Sequence, residues 1–308
     1  MANLEGKLKI TAFNGSPKGE KSNTNFLVEN FLYGAKEAGA EIENIFIADK
    51  KISNCRGCLR CWTKFDGECP QKNDDLKELL DKFINSEVVI LAAPVYVGGV
   101  PGIFKNFMDH LTPLVDPRFV KDGNENYKSE TPDWMHKVFD VVLPFFDQHY
   151  QRGVKGEYVH KNRYSKRPKV IAISNCGLTD KRNMDPIKKH FEDAVKNFNT
   201  EIVAEIYKGQ GELFRDMSFQ NRLIRRYYQG PLRKAGREFV EYGLISAETK
   251  ERIEKPLLPE EIYMAITNRL FDKILSKRGL IKKPKINYLA LAKDIGRDFL
   301  KYISKVKE

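Results

Sequence analysis

The stretch KLKITAFNGSPKGEKSNT, residues 7–24, carries the reading that decides the fold. Lys7–Phe13 is a short strand pattern that ends in Asn14, Gly15, Ser16 and Pro17. A helix is expected over Thr24–Gly39, with Phe26, Leu27, Phe31 and Ala35 on one side and Gly39 as its stop. Hydroxyls, amides and backbone N–H groups at such a helix start form an anion site, to which Lys18 adds charge. The same residues serve equally in an ordinary capped turn, because Ser and Thr are standard N-caps. The stretch is neither a Walker A loop nor a G-x-G-x-x-G fingerprint, so it does not support a dinucleotide site of the usual kind.

The strand–loop–helix pattern repeats. Glu41–Ile47 alternates apolar and polar residues, and Val88–Ala93 is a nearly continuous apolar run, as a strand covered on both faces requires. Lys169–Ser174 and Glu201–Tyr207 supply two more strands. Helices are expected over about 74–85, from Gly102 to His110 and over Pro186–Phe198. Five strands alternating with helices predict an α/β fold with a doubly wound parallel sheet. This reading assigns residues 1–208 to one domain, with a cysteine loop at 55–69 and a long insertion at 111–168. Residues 209–308 form a basic helical extension. In it Pro231 is expected to open one helix and Gly243 to close it, and Ser246 caps the next. A long helix starts at Pro259 and ends at Gly279, and a last amphipathic one carries Tyr288, Ala292, Ile295, Phe299 and Ile303 on one stripe.

With 308 residues, 41% of them hydrophobic, the chain can bury a large core. It has no run of eighteen apolar residues, hence no expected transmembrane segment, and no signal-peptide pattern, so a cytoplasmic location is expected. The net charge is +11, and the residues from Glu201 onward hold 23 Lys and Arg against 15 Asp and Glu. Those charges alternate with apolar residues at helical spacing and match no nucleic-acid motif, so a solvated helix face is read and nucleic acid is not.

Four of the five cysteines, Cys55, Cys58, Cys61 and Cys69, fall within fifteen residues. Thiolates at this density are ligands. Two successive C-x-x-C steps and a later Cys-Pro come closer to a ferredoxin-type run for a 4Fe–4S cluster than to the paired knuckles of a zinc site. Zinc, disulfides and free thiols remain the alternatives. Two further loops leave strands with suggestive chemistry. Pro94, Val95, Tyr96, Val97, Gly98 and Gly99 offer bare backbone and one aromatic ring, which suits a planar ligand. Asn175, Cys176 and Gly177 end the fourth strand, where Cys176 alone reads as a small apolar residue.

Together the GSPKGEKSNT loop, the cysteine run, Pro94–Tyr96 with Lys105 and Asp109 downstream, and Asn175–Gly177 resemble one family. It is the flavodoxin-like NAD(P)H-dependent FMN reductases, in their iron–sulfur flavoprotein branch. The match runs over about residues 7–207, with His110 where members often carry Arg. The resemblance implies FMN, its phosphate at Ser16, Lys18, Ser22, Asn23 and Thr24, and its ring along Pro94–Gly99 and near Asn175, Cys176 and Gly177. It further implies a cubane cluster on Cys55, Cys58, Cys61 and Cys69, and a homodimer or homotetramer that brings the two cofactors together. The expected function is electron transfer between a ferredoxin-like or other reduced donor and a small acceptor, NAD(P)H being a further candidate reductant. The alternatives are an NAD(P)H-dependent FMN or quinone reductase without a cluster, and a zinc-stabilised binding or sensor protein.

Overall fold

The computed structural model describes residues 7–71, 74–120, 159–164, 167–198, 200–214 and 219–280. The expected helix beyond residue 285 and most of the insertion lie outside them. Five strands form one parallel sheet: β1 (Lys9–Asn14), β2 (Glu41–Phe46), β3 (Val88–Pro94), β6 (Lys169–Asn175) and β7 (Ile202–Lys208). Their order is β2-β1-β3-β6-β7, which among the five is the flavodoxin-like order 2-1-3-4-5. Every residue of β3 is buried, as its apolar run requires of a central strand. At the edge, β2 keeps most of its residues partly exposed and alternates polar with apolar.

Helices α1 (Asn23–Glu37), α3 (Leu76–Ile84), α4 (Gly102–Asp109) and α5 (Asp185–Asn197) follow the strands, and a single turn, α2 (Arg60–Thr63), lies in the cysteine loop. One core cluster joins Phe13 and Leu91 of the sheet to Leu79 and Phe83 of α3, Phe104 and Phe107 of α4, and Phe191 of α5. Phe13 stacks on Phe107 with ring centroids 4.9 Å apart, so β1 and α4 are held in fixed register. The described ends of the insertion add two short strands absent from the sequence expectation, β4 (Val115–Val120) and β5 (Val159–Asn162), which pair antiparallel.

The extension begins with α6, which spans Phe219–Tyr242 and contains Pro231 instead of starting there. Pro231 lacks the N–H that would bond the carbonyl four residues back, yet packing of α6 along α1 keeps the helix continuous. That packing is close. Arg233 lies over the Tyr33 ring at 4.0 Å, and Phe239 faces Phe31 at 6.2 Å between centroids. Gly243, with φ of 73°, ends α6 as expected. Ser246 Oγ then accepts from Thr249 N at 3.2 Å, capping α7 (Ala247–Glu254). The chain divides into two compact units, residues up to Glu254 and residues from Lys255 onward, the second containing α8 (Glu260–Lys277). Among the described residues no helix is long and apolar enough to cross a membrane.

Candidate functional site

The loops after β1, β3 and β6 meet at the carboxyl edge of the sheet, around the β1/β3 point where strand order reverses and ligands of such sheets bind. Three hydrogen bonds tie them pairwise. Gly15 N donates to Ala92 O at 2.7 Å, joining the first loop to β3. Val95 N donates to Asn175 O at 2.9 Å, joining the second loop to the third. Thr24 Oγ1 donates to Asn175 Oδ1 at 2.6 Å and closes the triangle. Gly15 is the only residue type that fits its position, because a Cβ there would lie 2.2 Å from the Phe104 ring.

In the first loop Ser16, Ser22 and Thr24 are buried, whereas Lys18 is exposed. Ser22 caps α1 by accepting from Asn25 N at 2.9 Å, which leaves its hydroxyl hydrogen available to a ligand. Asn23 and Thr24 occupy the first turn, where backbone N–H groups have no partner within the helix. The loop is thus a capped turn whose first helical N–H groups have no partner within the helix.

The second loop is a tight turn in which Tyr96 N and Gly99 N each bond the other residue's carbonyl, at 2.8 and 3.0 Å. Val97 and Gly98 both have positive φ, 50° and 77°, the signature of a type I′ turn. A β-branched residue in that region is strained, and such strain gathers at ligand-binding turns. Val97 is also completely exposed, at 107% of its reference area, and Tyr96 beside it is exposed as well. In the third loop Cys176 N donates to Lys208 O, and Cys176 Sγ accepts from Leu178 N at 3.4 Å. Gly177 is exposed at the rim.

The cysteine loop is anchored by a residue that the sequence reading passed over. Asn106 on α4 accepts from Cys55 N at 3.1 Å and donates to the carbonyls of Ile52 and Ser53, both at 3.3 Å. Trp62 Nε1 adds a bond to Thr112 O at 3.0 Å, and Arg163, at the end of the insertion, pairs with Asp66. The only sequence signal for Asn106 is a polar residue between Phe104 and Phe107 on an otherwise amphipathic helix. His110, which stands after the Lys105–Asp109 pair, is buried and bonds the Asn106 carbonyl through Nδ1 at 3.0 Å. One helix therefore connects both sites: α4 begins just past the second loop, supports Gly15 through Phe104 and holds the cysteine loop through Asn106.

All four cysteines are reduced; Cys55 and Cys58 are exposed, and Cys61 and Cys69 are partly buried. Burial, together with the neighbouring Cys69, Cys58 and Cys55, pushes the Cys61 thiol up to about 11. Burial also raises Cys69, with Cys55, Asp74 and Cys58 adding to the effect. The four sulfurs thus share one neighbourhood, although among the described residues no three His, Cys, Asp or Glu side chains close into a metal-binding group. An all-thiol set of this kind fits a soft-metal or iron–sulfur centre, because a bound cation would relieve the repulsion among the thiolates.

Lys208, at the end of β7, is a second residue the sequence did not flag. It is 1% exposed, its Nζ donates to Tyr228 Oη at 2.9 Å, and burial lowers it to about 7, with Glu254 opposing. Between about pH 7 and the ordinary lysine value near 10.4, the unfolded chain holds a proton that the native state lacks, so stability rises with pH across that window. Burial raises the Tyr207 hydroxyl, which reverses the trend once the unfolded tyrosine ionises above about pH 10. We expect Lys208→Met to flatten the rise in urea midpoint between about pH 7 and 9. An unchanged pH profile would show that Lys208 stays charged in the folded protein.

A sheet of this order with its three ligand-edge loops joined defines a flavodoxin-like α/β protein. The profile of the NADPH-dependent FMN reductase family matches residues 8–142. An iron-sulfur flavoprotein of Methanocaldococcus jannaschii is 41% identical over 107 residues, covering 35% of this chain and 53% of that protein. One from Methanosarcina thermophila is 28% identical over 158 residues, covering 46% of this chain and 80% of that protein. Residues 8–142 are thus similar to the NADPH-dependent FMN reductase family, and the curated relatives they resemble are iron-sulfur flavoproteins. The chain spans about half the length of most of the curated relatives it matches. A solved NAD(P)H:quinone oxidoreductase from Methanothermobacter marburgensis superposes with a TM-score of 0.48 at 12% identity, covering 76% of this chain and 98% of that one.

Proposed function

We propose that this protein is an FMN-dependent oxidoreductase with a 4Fe–4S cluster, passing electrons between a ferredoxin-like or other reduced donor and a small acceptor. The observation that carries the proposal is the triangle of hydrogen bonds joining Gly15, Val95, Thr24 and Asn175 at the sheet's switch point. Bound flavin would exchange electrons singly or in pairs and the cluster one at a time, which lets a two-electron partner communicate with one-electron carriers.

The chain's own residues prepare that chemistry. Ser16, Ser22, Asn23 and Thr24 would hold a phosphate at the start of α1, with Lys18 supplying charge from outside. Backbone groups of Pro94–Gly99 would lie along the planar ring, and Tyr96 would offer a face for stacking. Asn175, locked by Thr24, would fix where Cys176 and Gly177 meet that ring. Cys55, Cys58, Cys61 and Cys69 would ligate the cluster, and their free thiols fit a reducing, cytoplasmic setting. A homodimer or homotetramer would cover the exposed Tyr96–Val97 turn and the exposed Cys55 and Cys58.

The openness of the cysteine group favours one second reading, a flavin or quinone reductase whose cysteines hold no cluster, with NAD(P)H as reductant. The visible spectrum of anaerobically purified protein, before and after dithionite, separates the two. A flavin double band over a broad, bleachable shoulder supports both cofactors. Flavin bands alone leave the second reading, and a colourless protein from a cofactor-replete preparation refutes both.

A further inference from the structure

The second unit of the chain carries a surface that the proposed redox chemistry does not use. On α8, Ile266, Leu270 and Ile274 recur every four residues and are 39%, 45% and 39% exposed, with Phe271 at 56% beside them. Residues four apart on a helix stack along one face. The same spacing places Arg269, Lys273 and Lys277 in a second row, along the edge of the apolar one. From Arg269 to Lys285 the sequence holds seven basic side chains against a single acidic one, Asp272. An exposed apolar row bordered by a basic row is a surface made for an interface with water on one side and anionic, oily material on the other.

We propose that α8 binds the surface of a bilayer containing anionic lipid, lying in the plane of the headgroups with Ile266, Leu270, Phe271 and Ile274 turned into the acyl boundary. Its basic row would meet the lipid phosphates and carboxylates, each Lys or Arg near such a surface adding to the attraction. Charge selects this occupant over two others. A second copy docked on the same face would set basic row against basic row. The chain's own residues 281–308 hold eight Lys and Arg against three Asp and Glu, so covering α8 with them would again crowd like charges. The length of α8, 18 residues with polar and charged positions on its other side, suits a helix that lies on a membrane and does not cross it. This inference stands apart from the flavin and the cluster.

Flotation of the full-length protein on vesicles tests it, using phosphatidylcholine alone and phosphatidylcholine with about one third phosphatidylserine. The protein is expected to float with the anionic vesicles only and to be released by high salt, which screens the basic row. Leu270→Glu combined with Phe271→Glu should lower the partition coefficient by about tenfold or more, given the transfer free energy of two such side chains. Lys273→Glu with Lys277→Glu should abolish the preference for anionic lipid while leaving the apolar row intact. All four positions are on the surface, and an unchanged far-UV circular dichroism spectrum would show that the variants fold. Absence of flotation overturns the proposal, as does equal flotation on both vesicle types or wild-type flotation of either variant. If flotation fails and the Glu variants change the molecular mass, a second copy occupies the face; if the mass is also unchanged, the chain's own terminus covers it.

Discussion

Cys61→Ser is expected to remove nearly all iron and acid-labile sulfide from the purified protein while leaving its flavin content unchanged. Cys61 is the most constrained of the four sulfurs: it is partly buried, and it feels the charges of Cys69, Cys58 and Cys55 together. Its carbonyl accepts from Gly67 N at 2.7 Å, which folds the segment leading to Cys69 back upon it. Serine preserves the shape but substitutes a hard oxygen for a soft sulfur, a poor exchange at an iron–sulfide centre. Flavin content, read on the same sample, is the internal control. Asn106→Ala should act in the same direction more weakly, by about 10- to 100-fold in metal affinity, because it removes a group that only orients the loop. Cys176→Ser should leave iron untouched, since that thiol sits in the loop after β6 and accepts from Leu178 N. Full iron retention in Cys61→Ser would exclude this residue as a ligand; a wild-type protein lacking iron would dispose of the cluster altogether.

How much of this was legible in the sequence differs from element to element, for physical reasons. β3 announced itself because a strand buried on both faces must be apolar throughout, and Val88–Ala93 is. The first loop was legible because strand end, turn and helix cap are contiguous, and their chemistry is local. Pro231 misled because proline is more often a helix start than an interior residue, whereas here the contact of α6 with α1 overrides that preference. β4 and β5 are short and separated by the whole insertion, so no local pattern foretells their pairing. The bonds that assemble the site left no sequence signal at all. Thr24 and Asn175 are 151 positions apart, and Asn106 reaches Cys55 across 51. Each loop's chemistry could be read by itself; only the sheet's strand order makes them neighbours.

Gly34→Ala should destabilise the first unit by about 2–3 kcal/mol, seen as a lower urea midpoint with an unchanged m-value. Alanine in place of an interior helical glycine ordinarily stabilises by about 1 kcal/mol, so the expected sign is the reverse of the helix-propensity prediction. The reason is the crossing of α1 and α6. A Cβ on Gly34 would lie 1.9 Å from the carbonyl oxygen of Arg233 and 2.6 Å from its carbon. The clash is reciprocal, since a Cβ on Gly236 would lie 2.0 Å from Phe31 O and 2.7 Å from Ala35 N. These neighbours are backbone atoms within helices and cannot swing aside as a side chain would. The helices must separate, and that loosens Phe239 on Phe31 and Arg225 on the Phe26 ring, the latter 4.6 Å from its centroid. Gly102→Ala provides the contrast, because nothing lies within 4 Å of its added Cβ and it should gain a few tenths of a kcal/mol. Since α1 also presents Ser22, Asn23 and Thr24 to the ligand edge, displacing it should weaken FMN binding along with stability. A Gly34→Ala protein as stable as wild type would mean that α6 does not pack on α1 in solution, and the extension would then be free of the flavodoxin-like core.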